Sequence, residues 1–319
     1  MIRWGLCCIF REAPIRFRRT TAKYVSKLSS DEQKRHLSGI CLHNANSLLE
    51  ALHFCRQNGI KAFRINSQIL PLKTHPQLGY AIERLPESTK IVKTFKKCGA
   101  YGRRYHLRLS FHPDQFILLS SPNPDVTRRS IADLQYQAEV AKWVKADVIN
   151  IHAGGAYGNK DKTLQRLSDR ISNLPQDVRQ MLTLENDDRL YTPRELLPVC
   201  ETLAIPMVYD VHHHRCLPDG LSVEETTQRA LKTWNREPLF HISSPLNPWG
   251  SGNPRSHHDY VNPDDFPESW LKLDITLDVE AKAKELAVLK LMQEIDIRQN
   301  CESTVDTKIV QLKRRKNGL

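Results

Sequence analysis

The stretch Pro206-Met207-Val208-Tyr209-Asp210-Val211-His212-His213-His214 ends a short apolar run in one carboxylate and three imidazoles. Asp and His are the ligand types that Zn²⁺ and Mn²⁺ favour. A lone histidine in such a place is more often a packed or solvated side chain. A carboxylate followed by three imidazoles reads instead as part of a metal site, although the run alone does not say which of His212, His213 and His214 would coordinate. The same ending recurs along the chain. Asn66, His112, His152, Glu185, Asp210, His241 and Glu280 each close a short apolar run, 25 to 46 residues apart, and six of the seven are metal-competent. Six ligands exceed what one tetrahedral ion needs, which points to a cluster of two or three divalent ions. Such clusters activate water and neutralise the attacking and leaving oxygens in phosphodiester cleavage.

Those seven endings need a scaffold that brings them to one place. Strands are expected at Arg3–Cys8, Lys61–Asn66, His106–His112, Asp147–His152, Met181–Glu185, the run closed by Asp210, Leu239–Ser243 and Leu271–Glu280. Between them, helical spacing predicts helices over Asn44–Asn58, with Asn44 or Asn46 as cap, then Glu87–Gly99, Pro124–Lys145, Thr163–Asn173, Pro193–Leu203, Val223–Trp234 and Glu280–Ile297. Strand and helix alternate about eight times, the pattern of an α/β (β/α)₈ TIM barrel, whose catalytic residues come from the C-terminal ends of several strands. The expected organisation is one barrel domain over residues 1–300, followed by a basic, frayed tail over 301–319.

Charge supports a polyanionic partner. Lys and Arg number 47 against 36 Asp and Glu, a net +11 in 319 residues. A protein this basic is expected to meet nucleic acid, although lysine in excess also serves solubility. Together with the metal-competent endings, this points to a nuclease. The basic run Arg11 to Thr21, broken by Ile15 and Phe17, suits phosphate contact with some stacking or a solvated loop equally well. His152 leads into Ala153-Gly154-Gly155-Ala156-Tyr157-Gly158-Asn159-Lys160, where glycines let backbone N–H groups approach a phosphate and Lys160 supplies charge. His257, in the polar insertion between the seventh and eighth strands, is a further candidate ligand. No run of about 18 apolar residues marks a membrane span, and the N-terminus lacks a signal-peptide pattern. The eight cysteines include no Cys-x-x-Cys pair and read as buried thiols of a cytoplasmic protein.

Five motifs then occur in order: His112-Pro113-Asp114-Gln115-Phe116, Ile151-His152-Ala153-Gly154-Gly155-Ala156-Tyr157-Gly158, Leu184-Glu185-Asn186-Asp187-Asp188-Arg189, Asp210-Val211-His212-His213-His214 and Val279-Glu280-Ala281-Lys282. From Arg3 to about Glu285 the chain resembles the UV damage endonuclease family, TIM barrels related to endonuclease IV and to xylose-isomerase-like barrels. The resemblance implies nicking of damaged double-stranded DNA immediately 5′ to pyrimidine dimers and similar distortions. The implied cofactor is a divalent metal cluster, commonly manganese. It makes His112, His152, Glu185, Asp210, His213, His241, His257 and Glu280 the metal ligands, with Glu185, His241 and Glu280 catalytic. It also makes Gln115 and Phe116 the pair that probes the lesion, with Phe where Tyr is common. Lys160 and Lys282 are further candidate DNA contacts. Two departures stand out. Leu239 occupies the position where some members carry a modified lysine, so no carbamate forms there. Gly5-Leu6-Cys7-Cys8-Ile9-Phe10 replaces the family's usual first-strand ending.

Two other readings remain at this point. A sugar isomerase or epimerase on the same barrel would need a compact polar pocket, and usually neither a net charge of +11 nor a Gln-Phe wedge. The alternative is a DNA-binding protein with an altered metal site, which the missing lysine keeps in play. The enzyme is expected to act as a monomer, with no membrane partner, close to the nucleoid if the cell is bacterial.

Overall fold

The structure, a computed structural model, describes residues 1–113 and 117–298. In chain order it runs β1 (Ile2–Cys7), α1 (Ala22–Val25), α2 (Ser30–Gln57), β2 (Ala62–Ile65), α3 (Ser88–Arg104), β3 (Arg108–Phe111), α4 (Pro124–Val144), β4 (Val148–His152), α5 (Lys160–Ser172), α6 (Gln176–Arg179) and β5 (Leu182–Glu185). Then follow α7 (Pro193–Leu203), β6 (Met207–Asp210), α8 (Val211–Cys216), α9 (Val223–Lys232), β7 (Leu239–Ile242), β8 (Ile275–Val279) and a last helix, α10, over 285–298. The strands pair in sequence order, all parallel, and β8 closes onto β1. This is the expected (β/α)₈ barrel.

Strands covered on both faces read as continuous apolar runs, and β5, β6, β7 and β8 are buried throughout. Alternate residues of each strand point into the barrel. On its floor Val148, Val208 and Leu239 form a small apolar cluster, apart from the main core that lies between the sheet and the helices. Two residues further along the same strands stand Asn150 and the site residues Asp210 and His241. Period two therefore lifts these side chains in register from an apolar plug to the mouth. Leu239 is part of that plug.

Several element boundaries differ from the sequence reading. α2 begins at Ser30, 14 residues before the expected Asn44, behind a capping box in which Ser29 and Glu32 bond each other's backbone. Its first two turns are largely exposed, so no apolar stripe announced them. Asn44 is not a cap: buried mid-helix, its side chain donates to the Arg18 and Ile69 carbonyls and accepts from the Arg18 amide. α3 does not stop at Gly99 but continues to Arg104. Glycine there serves close approach, since a Cβ would lie 2.7 Å from the Trp143 carbonyl oxygen of α4. The third strand starts at Arg108, because His106 takes a left-handed turn (φ 55°). Leu271 and Lys272, expected in strand, belong instead to a 3₁₀ turn over Glu268–Lys272 that buries Trp270, whose indole donates to Thr227 Oγ1 at 2.8 Å. A turn ending in left-handed Lys284 (φ 55°) separates β8 from the last helix. Among the described residues no helix is long and apolar enough to cross a membrane, and the cysteines there are free, five of them buried.

Candidate metal centre at the barrel mouth

Glu185, the last residue of β5, is the hub. It is fully buried, and Asn150 Nδ2 donates to its Oε2 at 2.5 Å, while Thr183 Oγ1 donates to Asn150 Oδ1 at 2.9 Å. That chain of hydrogen bonds fixes the carboxylate from below. From the mouth side His112 Nε2 stands 2.9 Å from Oε2, and His241 Nδ1 and His213 Nδ1 stand 3.1 and 3.3 Å from Oε1. His152 Nε2 is 3.9 Å from Oε2.

Asp210 sits between β6 and α8, and its two oxygens have different work. Oδ1 caps α8 by accepting from the His213 amide at 2.8 Å. Oδ2 is buried without a partner among the described residues, 3.6 Å from His213 Nδ1 and 3.9 Å from His241 Nδ1. The three histidines thus lie in a short capped helix, and the cap brings His213 back over the site. Asn186 secures the corner: its side chain donates to the Asp210 carbonyl at 2.9 Å and accepts from the Asp210 amide at 3.0 Å. His212 and His214 face elsewhere. His214 lies between Tyr209 Oη (2.7 Å) and Asp219 Oδ1 (3.0 Å), and His212 packs against Trp249 and His257.

Glu280, just past β8, lies 3.4 Å from His241 Nδ1 and is ion-paired with Arg64 of β2. The geometry therefore gathers three overlapping donor groups: His112, His152 and Glu185; His112, His241 and Glu280; Glu185, Asp210 and His213. Within each, the donor atoms lie within 4.8 Å of one another. His257 lines the same mouth but stays outside these groups, its ring 6.3 Å from that of His213 and its Nε2 3.5 Å from Ser243 Oγ. Lys160 is engaged internally, bonded to the Leu190 carbonyl and to Glu195 Oε1. Lys282 is exposed. Gln115, Phe116 and residues 301–319 lie outside the described residues.

The site is charge-coupled. Burial opposes ionisation of Glu185, yet His241, His152 and His112 outweigh it and hold the carboxyl well below its usual range. Burial likewise opposes a charged imidazole at His241, but Glu185 and Glu280 push it up to about 9. His213 moves the same way, Asp210 and Glu185 overcoming its burial. For His152 burial prevails and the value falls. Protons on His213 and His241 thus stand where cations would neutralise the carboxylates.

These residues fit a divalent metal. The donors are a mixed set of imidazole nitrogens and carboxylate oxygens, as Zn²⁺ and Mn²⁺ sites use. Two of their atoms, Asp210 Oδ2 and His152 Nδ1, are buried and unpartnered among the described residues, a costly state without a partner to receive them. Around the cluster opens a cavity of about 730 Å³ whose rim includes Arg19, Arg189, Arg255 and Lys284. The sequence reading missed Asn150, Asn186 and Arg64. Asn186 lay inside a quoted motif, and Asn150 and Arg64 lay two residues before a strand-end residue already singled out, the spacing of a side chain on the same face.

Comparison with known proteins agrees with this architecture. The family model described as "UV-endonuclease UvdE" matches residues 2–311. A UV DNA damage endonuclease of Bacillus velezensis is 36% identical over 288 residues, covering 86% of this chain and 87% of that protein. A crystal structure of SacUVDE superposes with a TM-score of 0.83 at 24% identity, over 94% of this chain and 99% of the other. Endonuclease IV from Thermus thermophilus gives a TM-score of 0.59 at 14% identity, over 92% and 98%. The two structural likenesses speak for the barrel, and the match along nearly the whole sequence speaks for descent: the chain belongs to the UV-endonuclease UvdE family.

Proposed function

We propose that this protein is a metal-dependent repair endonuclease that nicks duplex DNA immediately 5′ to ultraviolet photoproducts and similar distorting lesions. The observation that carries the reading is the convergence of His112, His152, His213 and His241 on the buried Glu185 carboxylate at the mouth of a barrel, with Asp210 and Glu280 beside those imidazoles. With His257 drawn in from the rim, these residues would hold two or three divalent cations, manganese by preference. Bound there, the cations would lower the pKa of a water and offset charge on the phosphate oxygens.

The chain's own residues have separable tasks. Glu185, His241 and Glu280, which face one another at the centre of the cluster, would carry the catalytic role. Asn150 and Thr183 keep Glu185 in one orientation, so the donor set is already arranged before DNA arrives. Arg19, Arg189, Arg255 and Lys284 surround the mouth with positive charge, which draws a polyanionic backbone without reading its sequence. Lys282, exposed just after β8, is a further DNA contact in this reading. Lys160 acts instead through the loop it braces. Gln115 and Phe116 follow the β3 histidine and supply the wedge. Inserting a planar side chain into a base step costs a few kcal/mol of unstacking, and less at a damaged step. The enzyme acts as a monomer.

The test uses ultraviolet-irradiated supercoiled plasmid. Chelated protein should leave it supercoiled, added Mn²⁺ should restore relaxation, and unirradiated plasmid should persist in both. Relaxation that survives complete chelation would contradict the metal-dependent reading.

A further inference from the structure

Below the metal-competent cluster, inside the barrel, lies a carboxylate that the proposed chemistry does not use. Asp278 of β8 is fully buried, and neither of its oxygens has a hydrogen-bond partner among the described residues. Such a group is costly to fold around. Opposite it stands a second orphan, Nε2 of His241, 3.9 Å from Asp278 Oδ2. The other ring nitrogen of His241 faces Glu185 and Glu280. One imidazole thus spans two carboxylate environments, the upper one belonging to the candidate metal centre.

The neighbouring strand makes room for this arrangement. Gly5 of β1 is paired with Asp278, and a Cβ at Gly5 would collide with Asp278 Oδ1. A glycine in the middle of a strand forgoes side-chain packing. Here the space is filled by the carboxylate.

We propose that Asp278 is a positioning residue: with a cation on His241 Nδ1 beside Glu185 and Glu280, its carboxylate takes up the Nε2–H that faces it across 3.9 Å in the metal-free chain. Carboxylates that accept the second N–H of a metal-binding histidine fix its tautomer and raise its basicity, and their loss typically weakens metal affinity about 10–100-fold. The inference rests on the metal-dependent reading above.

The test compares wild type with Asp278→Asn, and with the double variant Gly5→Ala/Asp278→Ala, in which the new methyl occupies the vacated space. Each protein is chelated, titrated with Mn²⁺ alone by calorimetry, and unfolded in urea without metal. Both variants should bind Mn²⁺ about 10–100-fold more weakly. Their metal-free unfolding midpoints should equal or exceed that of wild type, because an unpartnered buried carboxylate has been removed. The visible absorption bands of the Co²⁺-loaded Asp278→Asn protein should also shift, reporting an altered ligand field. Wild-type Mn²⁺ affinity in both variants would overturn the proposal, as would weaker binding matched by an equal loss of metal-free stability. A fall beyond about a thousandfold would make Asp278 a ligand and overturn it too. Failure of wild type itself to bind Mn²⁺ would instead refute the metal-dependent reading.

Discussion

Raising the pH of the metal-free protein should destabilise it, and the size of the effect follows from the site. His241 is pushed up to about 9 by Glu185 and Glu280 against its burial, whereas an unfolded histidine titrates near 6.5. Between these values the folded chain holds a proton that the unfolded chain has released, so stability falls as pH rises. The contribution is complete below about pH 6.5 and lost by about pH 9. A tenfold difference in proton affinity between folded and unfolded chain is worth about 1.4 kcal/mol, so the full loss is on the order of 3 kcal/mol. His213 is displaced in the same direction and adds to the slope. The assay is urea unfolding of exhaustively chelated protein at pH 6.5, 7.5 and 9, with His241→Asn as the control whose slope should be shallower. Metal binding must displace this proton, so Mn²⁺ affinity should climb by about tenfold per pH unit below 9 for each proton released. Metal-free stability that stays flat or rises from pH 6.5 to 9 would refute the coupling of His241 to the carboxylates.

Other perturbations probe separate parts of the account. Glu185→Gln keeps the shape of the hub but removes its charge. It should reduce nicking by more than the about hundredfold typical of a supporting residue, while DNA retention in gel-shift assays, dominated by phosphate contacts, stays near wild type. Arg19→Ala, at the rim of the mouth, should weaken binding to damaged and intact duplex alike and lower the slope of log affinity against log salt by about 1. Gly99→Ala places a methyl against the α4 backbone and should destabilise the protein by about 1–3 kcal/mol in urea unfolding.

The barrel was legible because seven of its eight strands share a signature, an apolar run stopped by His, Asp, Glu or Asn, which β1 with its Cys7-Cys8 lacks. His152, Glu185 and Asp210 end strands as expected, while His112 and Glu280 stand one residue beyond theirs. Helix starts were less legible where the first turns are polar. The capping residues Ser29 and Glu32 were in plain sight, but no apolar stripe follows them until Leu37. Gly99 looked like a stop because its reason for being glycine, the α4 backbone 2.7 Å from where a Cβ would stand, is a tertiary contact. The same holds for the supports of the site. Nothing local in the sequence says that Asn150 reaches Glu185, that Asn186 braces Asp210, or that Arg64 of β2 pairs with Glu280 past β1. The candidate ligands were readable as residue types in phase, whereas their orientation depends on neighbours far away in sequence.

The central claim is that this mouth cuts DNA beside a lesion. It is tested most directly with an end-labelled duplex carrying one cyclobutane pyrimidine dimer, incubated with Mn²⁺-loaded protein and resolved at single-nucleotide resolution. The account predicts one incision, immediately 5′ to the dimer, absent from the undamaged duplex. Protein with bound Mn²⁺ that leaves the dimer-bearing strand intact, or cuts both duplexes equally, would contradict it.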